Sequence, residues 1–241
     1  MPEYHFREGE VLLVDKPLGW TSFDVVNKLR YKITDLYRPE FKRIKVGHAG
    51  TLDPLATGLL IVCTGQKTKQ TDQYQQKEKT YTGTIELGKT TPSYDKETAP
   101  DQTYKTDHIT EESIRRVAKK FIGKQMQHPP VFSARKIEGK RAYRYARNRE
   151  EVKIEPREIE ITSFEITAIH MPFINFKVTC SKGTYIRSLA HDFSKALNSG
   201  GYLTALRRTR IGEFSVADAS SVETWVERIE RMSDEKSQNH L

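Results

Sequence analysis

Val46-Gly47-His48-Ala49-Gly50-Thr51-Leu52-Asp53-Pro54-Leu55-Ala56-Thr57-Gly58 lies between a basic stretch, Lys42-Arg43-Ile44-Lys45, and the apolar run Leu59-Leu60-Ile61-Val62-Cys63. It packs three glycines, a proline, a histidine and one acid into a short span. The run that follows reads as a buried strand or helix segment. A Gly/Pro-rich loop tied to a rigid apolar element can hold a reactive side chain within reach of a ligand. Asp53 is the only carboxylate between Glu40 and Asp72, so any acid chemistry here falls to it. On spacing alone, such an aspartate is more commonly a turn residue that bonds its own backbone.

Composition narrows the classes. The 241 residues suit one large domain or two small ones and can bury a real core. Apolar residues make up 36% and charged residues 30%, which favours a soluble chain with polar loops or a charged face. The net charge of +8 and a pI near 9.3 suggest a polyanionic partner, most often nucleic acid. No apolar run is long enough to span a membrane, and Met1 to Glu10 lacks the apolar core of a signal peptide. Cys63 and Cys180 sit in apolar segments without metal spacing. They read as buried thiols of a reducing compartment, with the cytoplasm as the simplest location.

Along the chain, Val11-Leu12-Leu13-Val14 reads as a strand ended by the turn Asp15-Lys16-Pro17-Leu18-Gly19. Thr21 or Ser22 can cap a helix whose apolar stripe is Val25, Val26, Leu29, Ile33 and Leu36. Lys79 to Gly88 alternates, with Tyr81, Gly83, Ile85 and Leu87 on one strand face. Lys89 to His108 reads as a surface excursion. Thr110 opens a helix that Gly123 stops. Between His128 and Arg149 cations alternate with aromatics, a pattern suited to phosphates and exposed bases. Strands follow in Ile154 to Ile169 and Phe173 to Cys180, then a helix carrying Ile186, Leu189, Ala190, Phe193 and Leu197. Arg187 falls off that helix's core face, toward solvent or a cleft. Ala217 to Met232 forms a last amphipathic helix, and Ser233 to Leu241 reads as a polar tail.

Several ordered strings resemble those of the tRNA pseudouridine synthase B (TruB) family. They are DKPLGWTSFDVVNKL near the N-terminus, GHAGTLDPLATGLLIV at the central loop and the KTY strand. Further on come PPVFSARKIEGKRAY, CSKGTYIRSLA and LRRTRIG. The resemblance covers about residues 9 to 226 and implies an α+β fold. In that fold a mixed, mainly antiparallel sheet is flanked by helices, with a basic thumb-like insertion at about 128–152 in a single catalytic domain, 1–232. Many family members continue into a small C-terminal RNA-binding module of the PUA type, which this sequence is expected to lack.

The resemblance also implies the chemistry: isomerisation of uridine 55 in the tRNA T loop to pseudouridine, without cofactor or metal. Asp53 would be the nucleophile, attacking ring or sugar. Tyr81 would stack on the uracil and assist proton removal. Arg187 would pair with Asp53, favouring the ionised carboxylate and fixing its direction. A uridine inside a folded loop must be flipped out, and His48 is the candidate wedge for the gap. Lys16 would lie near the cleft, Lys69 would contact RNA and Tyr185 would wall the base pocket. Leu206 would touch the nucleoside, and Arg207, with its neighbour Arg208, would meet phosphate. Asp95 would lie near Arg187. The implied partner is the tRNA T stem-loop, met by a monomer with no obligate protein partner and no membrane. A guide-RNA-dependent pseudouridylase of the same family and a noncatalytic tRNA-binding or folding protein are the alternatives. A sugar-cleaving enzyme using paired carboxylates is a third, with Asp95 as its second acid.

Overall fold

A computed structural model describes residues 4–132, 136–137, 140–141 and 154–238. The basic insertion expected over 128–152 therefore falls largely outside the described residues. Within it the backbone of Lys136–Ile137 pairs antiparallel with Lys140–Arg141. The chain divides into two compact units, Met1–Lys79 with Arg207–Leu241, and Thr80–Leu206.

The first unit is built on β3, Ala56–Thr64. Strand β1, Val11–Lys16, pairs antiparallel with it from Val11↔Cys63 to Lys16↔Gly58. Strand β2, Val46–Ala49, pairs with its later half from Val46↔Thr64 to Ala49↔Ile61. The short strand Ser220–Ser221 lies parallel to β1. The apolar run in β3 is continuous because the strand is buried on both faces. Leu60 and Val62 join Leu12, Val14, Val25, Leu29, Ile33, Trp225 and Ile229 in one core cluster. Leu59, Ile61 and Cys63 join Ala49 and Ile211 in another.

Helix α1, Ser22–Leu36, starts where the sequence places it. Thr21 caps it, accepting a bond from the Asp24 N–H, while the Asp24 carboxylate accepts from the Thr21 N–H. The C-terminal helix, Val222–Gln238, packs on the same core, and its Trp225 indole donates to the Leu13 carbonyl at 2.9 Å. It starts five residues later than the apolar pattern suggests and continues through 238, so most of the expected polar tail is helical.

In the second unit, Lys79–Leu87 (β4) neighbours Phe173–Cys180, which pairs antiparallel with Arg157–His170 and through it with Gly123–Gln127. Phe121, Phe164, Phe176 and Phe193 meet edge-on at centroid distances of 5.4–6.4 Å, closing the sheet under helices Glu111–Lys120 and Ile186–Ala196. Gly83 leaves room for Phe176 to pack against β4, since a Cβ there would lie 2.6 Å from the phenyl ring. The expected surface excursion after β4 is more ordered than its composition suggests. Thr91, Ser93 and Asp95 are buried, and Lys89–Thr90 pairs with Gln102–Thr103. Both cysteines are buried free thiols. No described helix is long and apolar enough to cross a membrane.

Candidate active site

The turn carrying Asp53 joins β2 to β3 and is fastened on several sides within the first unit. The Ala56 N–H donates to the Asp53 carbonyl at 3.0 Å, and the Gly19 N–H to the Pro54 carbonyl at 2.8 Å. Ser22, the first residue of α1 and almost fully buried, grips Leu52 at two points. Its hydroxyl oxygen accepts from the Leu52 N–H at 2.9 Å and donates to the Leu52 carbonyl at 3.2 Å. The start of a capped helix thus fixes the residue next to Asp53, and the carboxylate inherits that rigidity.

A buried arginine holds both flanks of the turn. Arg208 is 1% exposed; its Nε donates to the Leu59 carbonyl at 2.8 Å and its Nη2 to the Gly50 carbonyl at 3.0 Å. Gly58 makes room for this, with φ +102°, and a Cβ there would lie 2.2 Å from the Arg208 carbonyl. The sequence reading aims Arg208 at phosphate. The structure instead makes it an internal strut, because its position in the strand Gly201–Ile211 (called β5 here) turns it under the hairpin. Arg207, next to it, stays partly exposed and makes a two-point ion pair with Asp15, Nη1–Oδ1 at 3.0 Å and Nη2–Oδ2 at 2.7 Å. The carboxylate matches the guanidinium fork and presents the arginine in one orientation.

Lys16 has no exposed surface, and its Nζ donates to the carbonyls of Pro17 (3.0 Å) and Trp20 (2.6 Å). Burial lowers its pKa to about 8; the Asp53 carboxylate opposes that shift and Arg208 reinforces it. The lysine that the sequence alone would leave as a solvated turn residue is therefore electrostatically in the neighbourhood of Asp53. His48 lies on β2, not in a loop, because its backbone pairs opposite Val62. The ring is half-buried, and its Nδ1 has no hydrogen-bond partner among the described residues. Burial first, then the charge of Arg208, lowers its pKa, so the imidazole is neutral at pH 7. Lys69 is exposed in the short 3-10 helix Gly65–Gln70 that follows β3.

The second unit holds the other named residues. Arg187 is buried rather than facing solvent: its Nη1 donates to the Ser93 carbonyl at 3.2 Å, and its Nε lies 3.6 Å from Asp95 Oδ2. Asp95 is buried with it, so the expected neighbourhood of these two residues is present. Tyr185 precedes the helix at Ile186. The Gln127 side chain brackets its backbone, accepting from the Tyr185 N–H at 2.8 Å and donating to its carbonyl at 3.0 Å. Arg157 stacks 5.3 Å from the Tyr185 ring. Tyr81 is buried near the start of β4, and Leu206 is half-buried in β5. Sequence reasoning missed Ser22, Gln127 and Arg157 as supports. Only the capping pattern around Thr21 hinted at the first.

Among the described residues, no cluster of three His, Cys, Asp or Glu side chains is placed to hold a metal ion. What the first unit offers is a carboxylate on a rigid turn with two buried cations beside it, a setting for nucleophilic chemistry.

Comparison with known proteins identifies the family. The family model described as TruB family pseudouridylate synthase (N terminal domain) matches residues 38–186. A protein of Flavobacterium johnsoniae named tRNA pseudouridine synthase B is 52% identical over 230 residues, 95% of this chain and all of that one. One of the same name from Parabacteroides distasonis is 54% identical over 211 residues, 88% of this chain and 89% of that one. Among solved structures, an archaeal box H/ACA sRNP Nop10–Cbf5 complex contains a chain that superposes with TM-score 0.69 at 26% identity. That match covers 96% of this chain and 57% of that one. A Cbf5–Nop10–Gar1 complex gives 0.67 at 27%, covering 95% and 60%. The fold is the α+β pseudouridine synthase fold.

Proposed function

We propose that this chain, which belongs to the TruB family of pseudouridylate synthases, converts uridine 55 of the tRNA T loop to pseudouridine, acting alone in the cytoplasm and without a cofactor. It is a pseudouridine synthase, and relatives of nearly the same length named for tRNA supply the substrate class.

The observation that carries the mechanism is the Asp53 turn. It is held from Ser22, Gly19 and Arg208, so the carboxylate meets its target without reorganising. The target uridine leaves the loop stack to reach it. His48 fits the role of wedge: half-buried on a strand and uncharged at pH 7, it can fill the vacated stack with an apolar ring face. Asp53 then acts as nucleophile in opening the bond between N1 and C1′. The detached uracil turns and rejoins through C5; N1 takes up a proton and the C5 proton leaves to solvent. Atoms balance without an oxidant or reductant. Water must be kept from the sugar, since its capture would leave an abasic site.

In the second unit, Tyr81 is proposed to hold the uracil ring and help remove the C5 proton. Tyr185 and Leu206 would bound the nucleoside, Arg187 keeps the role the resemblance gives it, and Asp95 steadies Arg187. Lys16 contributes positive charge near Asp53, while Lys69 and Arg207 are proposed to meet RNA.

Tritium release from a tRNA transcript labelled at uridine C5 tests the proposal, with a second transcript carrying cytidine at position 55. Release from the first alone, with no guide RNA added, is the expected result. Equal release from both would move the modified site elsewhere, and none from either would remove the assignment.

A further inference from the structure

The basic stretch Lys42-Arg43-Ile44-Lys45 has no part in the mechanism above, yet the structure uses it to line two adjoining cavities. One, of about 410 Å³, lies along α1 and carries Arg30, Arg38, Lys42 and Arg43. The other, of about 270 Å³, carries Arg7, Arg43, Lys45 and Lys69. Arg43 lines both, which places them side by side as one basic groove region, and no acidic residue lines either. Of these cations, Arg38 faces Asp35 at 3.4 Å in a well-exposed pair that is worth little in water. Arg7 lies over the Phe41 ring at 4.3 Å, and Tyr31 stands exposed on the wall. Cations beside exposed aromatics suit a phosphodiester backbone with accessible bases.

The position of the groove separates it from the nucleophile. The Asp53 turn closes one end of the β2–β3 hairpin, whereas the groove borders the other end, where the Gly65 N–H donates to the Lys45 carbonyl at 2.9 Å. The strand between them, at about 3.3 Å per residue over four residues, spans about 13 Å. Helix α1 repeats this relation. Ser22 at its start grips Leu52, while Arg38 lies just past its end, about 22 Å along an axis rising about 1.5 Å per residue. Thr34 ties the two walls together by accepting from the Ile44 N–H at 3.3 Å. The groove runs from Asn27, about 8 Å along α1 from Ser22, to Arg38 past its end, farther than one nucleotide at Asp53 reaches.

We propose that this groove is a second RNA site, which binds backbone phosphates of the tRNA outside the T stem-loop. The inference rests on tRNA being the substrate and adds where on the enzyme the rest of the molecule is held. The test measures binding in an Asp53→Asn background, so that it does not depend on turnover. The triple variant Arg38→Gln/Lys42→Gln/Arg43→Gln is compared with a charge-matched control on the exposed face of the helix Glu111–Lys120, Arg116→Gln/Lys119→Gln/Lys120→Gln. Each is titrated with full-length tRNA and with an isolated T-arm hairpin over a range of salt. The groove variant should bind tRNA roughly tenfold or more weakly, with a log–log salt slope shallower by about two to three. It should bind the hairpin like the parent. Equal weakening on hairpin and tRNA would place the groove against the T arm. An unchanged tRNA affinity, or the same loss in the α-helical control, would leave no role for it. Any of these three results overturns the proposal. Failure of wild-type tritium release, by contrast, bears on the reaction and not on the groove.

Discussion

Two regions of this molecule bury a guanidinium, and they do so by opposite means. In the second unit Arg187 is met by a buried carboxylate, Asp95, as well as by the Ser93 carbonyl. In the first unit Arg208 is held by the backbone carbonyls of Gly50 and Leu59, and the buried Lys16 by those of Pro17 and Trp20. Carbonyls satisfy the donors of a cation without cancelling its charge. The first arrangement sets a side-chain carboxylate beside the guanidinium. The second leaves a positive field beside the turn that presents Asp53, which is where a reaction using a carboxylate gains from it. Burying uncancelled charge is costly, and the lowered pKa of Lys16 records that cost.

Removing each guanidinium in turn separates the two arrangements. Arg187→Met strands a buried carboxylate and should cost about 3–5 kcal/mol. Pairing it with Asp95→Asn should recover part of that loss in urea denaturation, because the orphaned charge goes too. Arg208→Met should cost about 3 kcal/mol or more, since two buried carbonyls lose charged donors. It should also slow single-turnover catalysis by about 100-fold as the turn relaxes. No second side chain can rescue it, because its partners are backbone. If Arg208→Met leaves the rate intact, the strut is not what positions Asp53.

A smaller effect comes from Lys16. Its folded pKa of about 8 lies below its ordinary value of 10.5, so below pH 8 both folded and unfolded chains carry the proton and the folded state bears the full desolvation cost. Between about pH 8 and 10.5 the unfolded chain binds more protons, and stability gained from this group rises with pH. Wild type should therefore gain on Lys16→Met between pH 7.5 and 10 in paired denaturation curves. Its activity should fall through pH 8 in a step that Lys16→Met lacks. A constant stability difference across that window would show that Lys16 is not held as a desolvated cation.

Much of the frame was legible in the sequence, for local reasons. Thr21 and Asp24 announce the start of α1, and the unbroken run Leu59–Cys63 announces a strand covered on both faces. The turn of Asp53 is readable from its glycines and proline, and its likeness to the TruB strings gives it meaning. Other features depend on partners distant in the chain. His48 sits on a strand because β3 pairs with it, a contact that a glycine beside it hides from any period-2 pattern. Arg208 looks like its exposed neighbour Arg207, and only the packing of β5 beneath Gly58 separates a strut from a surface cation. Thr91, Ser93 and Asp95 have the composition of a surface loop but are buried because they satisfy one another: the Thr91 and Ser93 hydroxyls donate to the Asp95 carbonyl. Lys42 to Lys45 reads as a plain charge run until α1 supplies the other wall of its groove.

Asp53 is proposed to supply the nucleophile from a turn prepared in advance. Single-turnover tritium release by wild type and Asp53→Asn, at enzyme concentrations saturating for both, tests it most directly. Asp53→Asn is expected to bind tRNA as wild type does, to unfold at nearly the same urea concentration and to release no tritium. Release by Asp53→Asn at a rate near that of wild type would contradict the proposal.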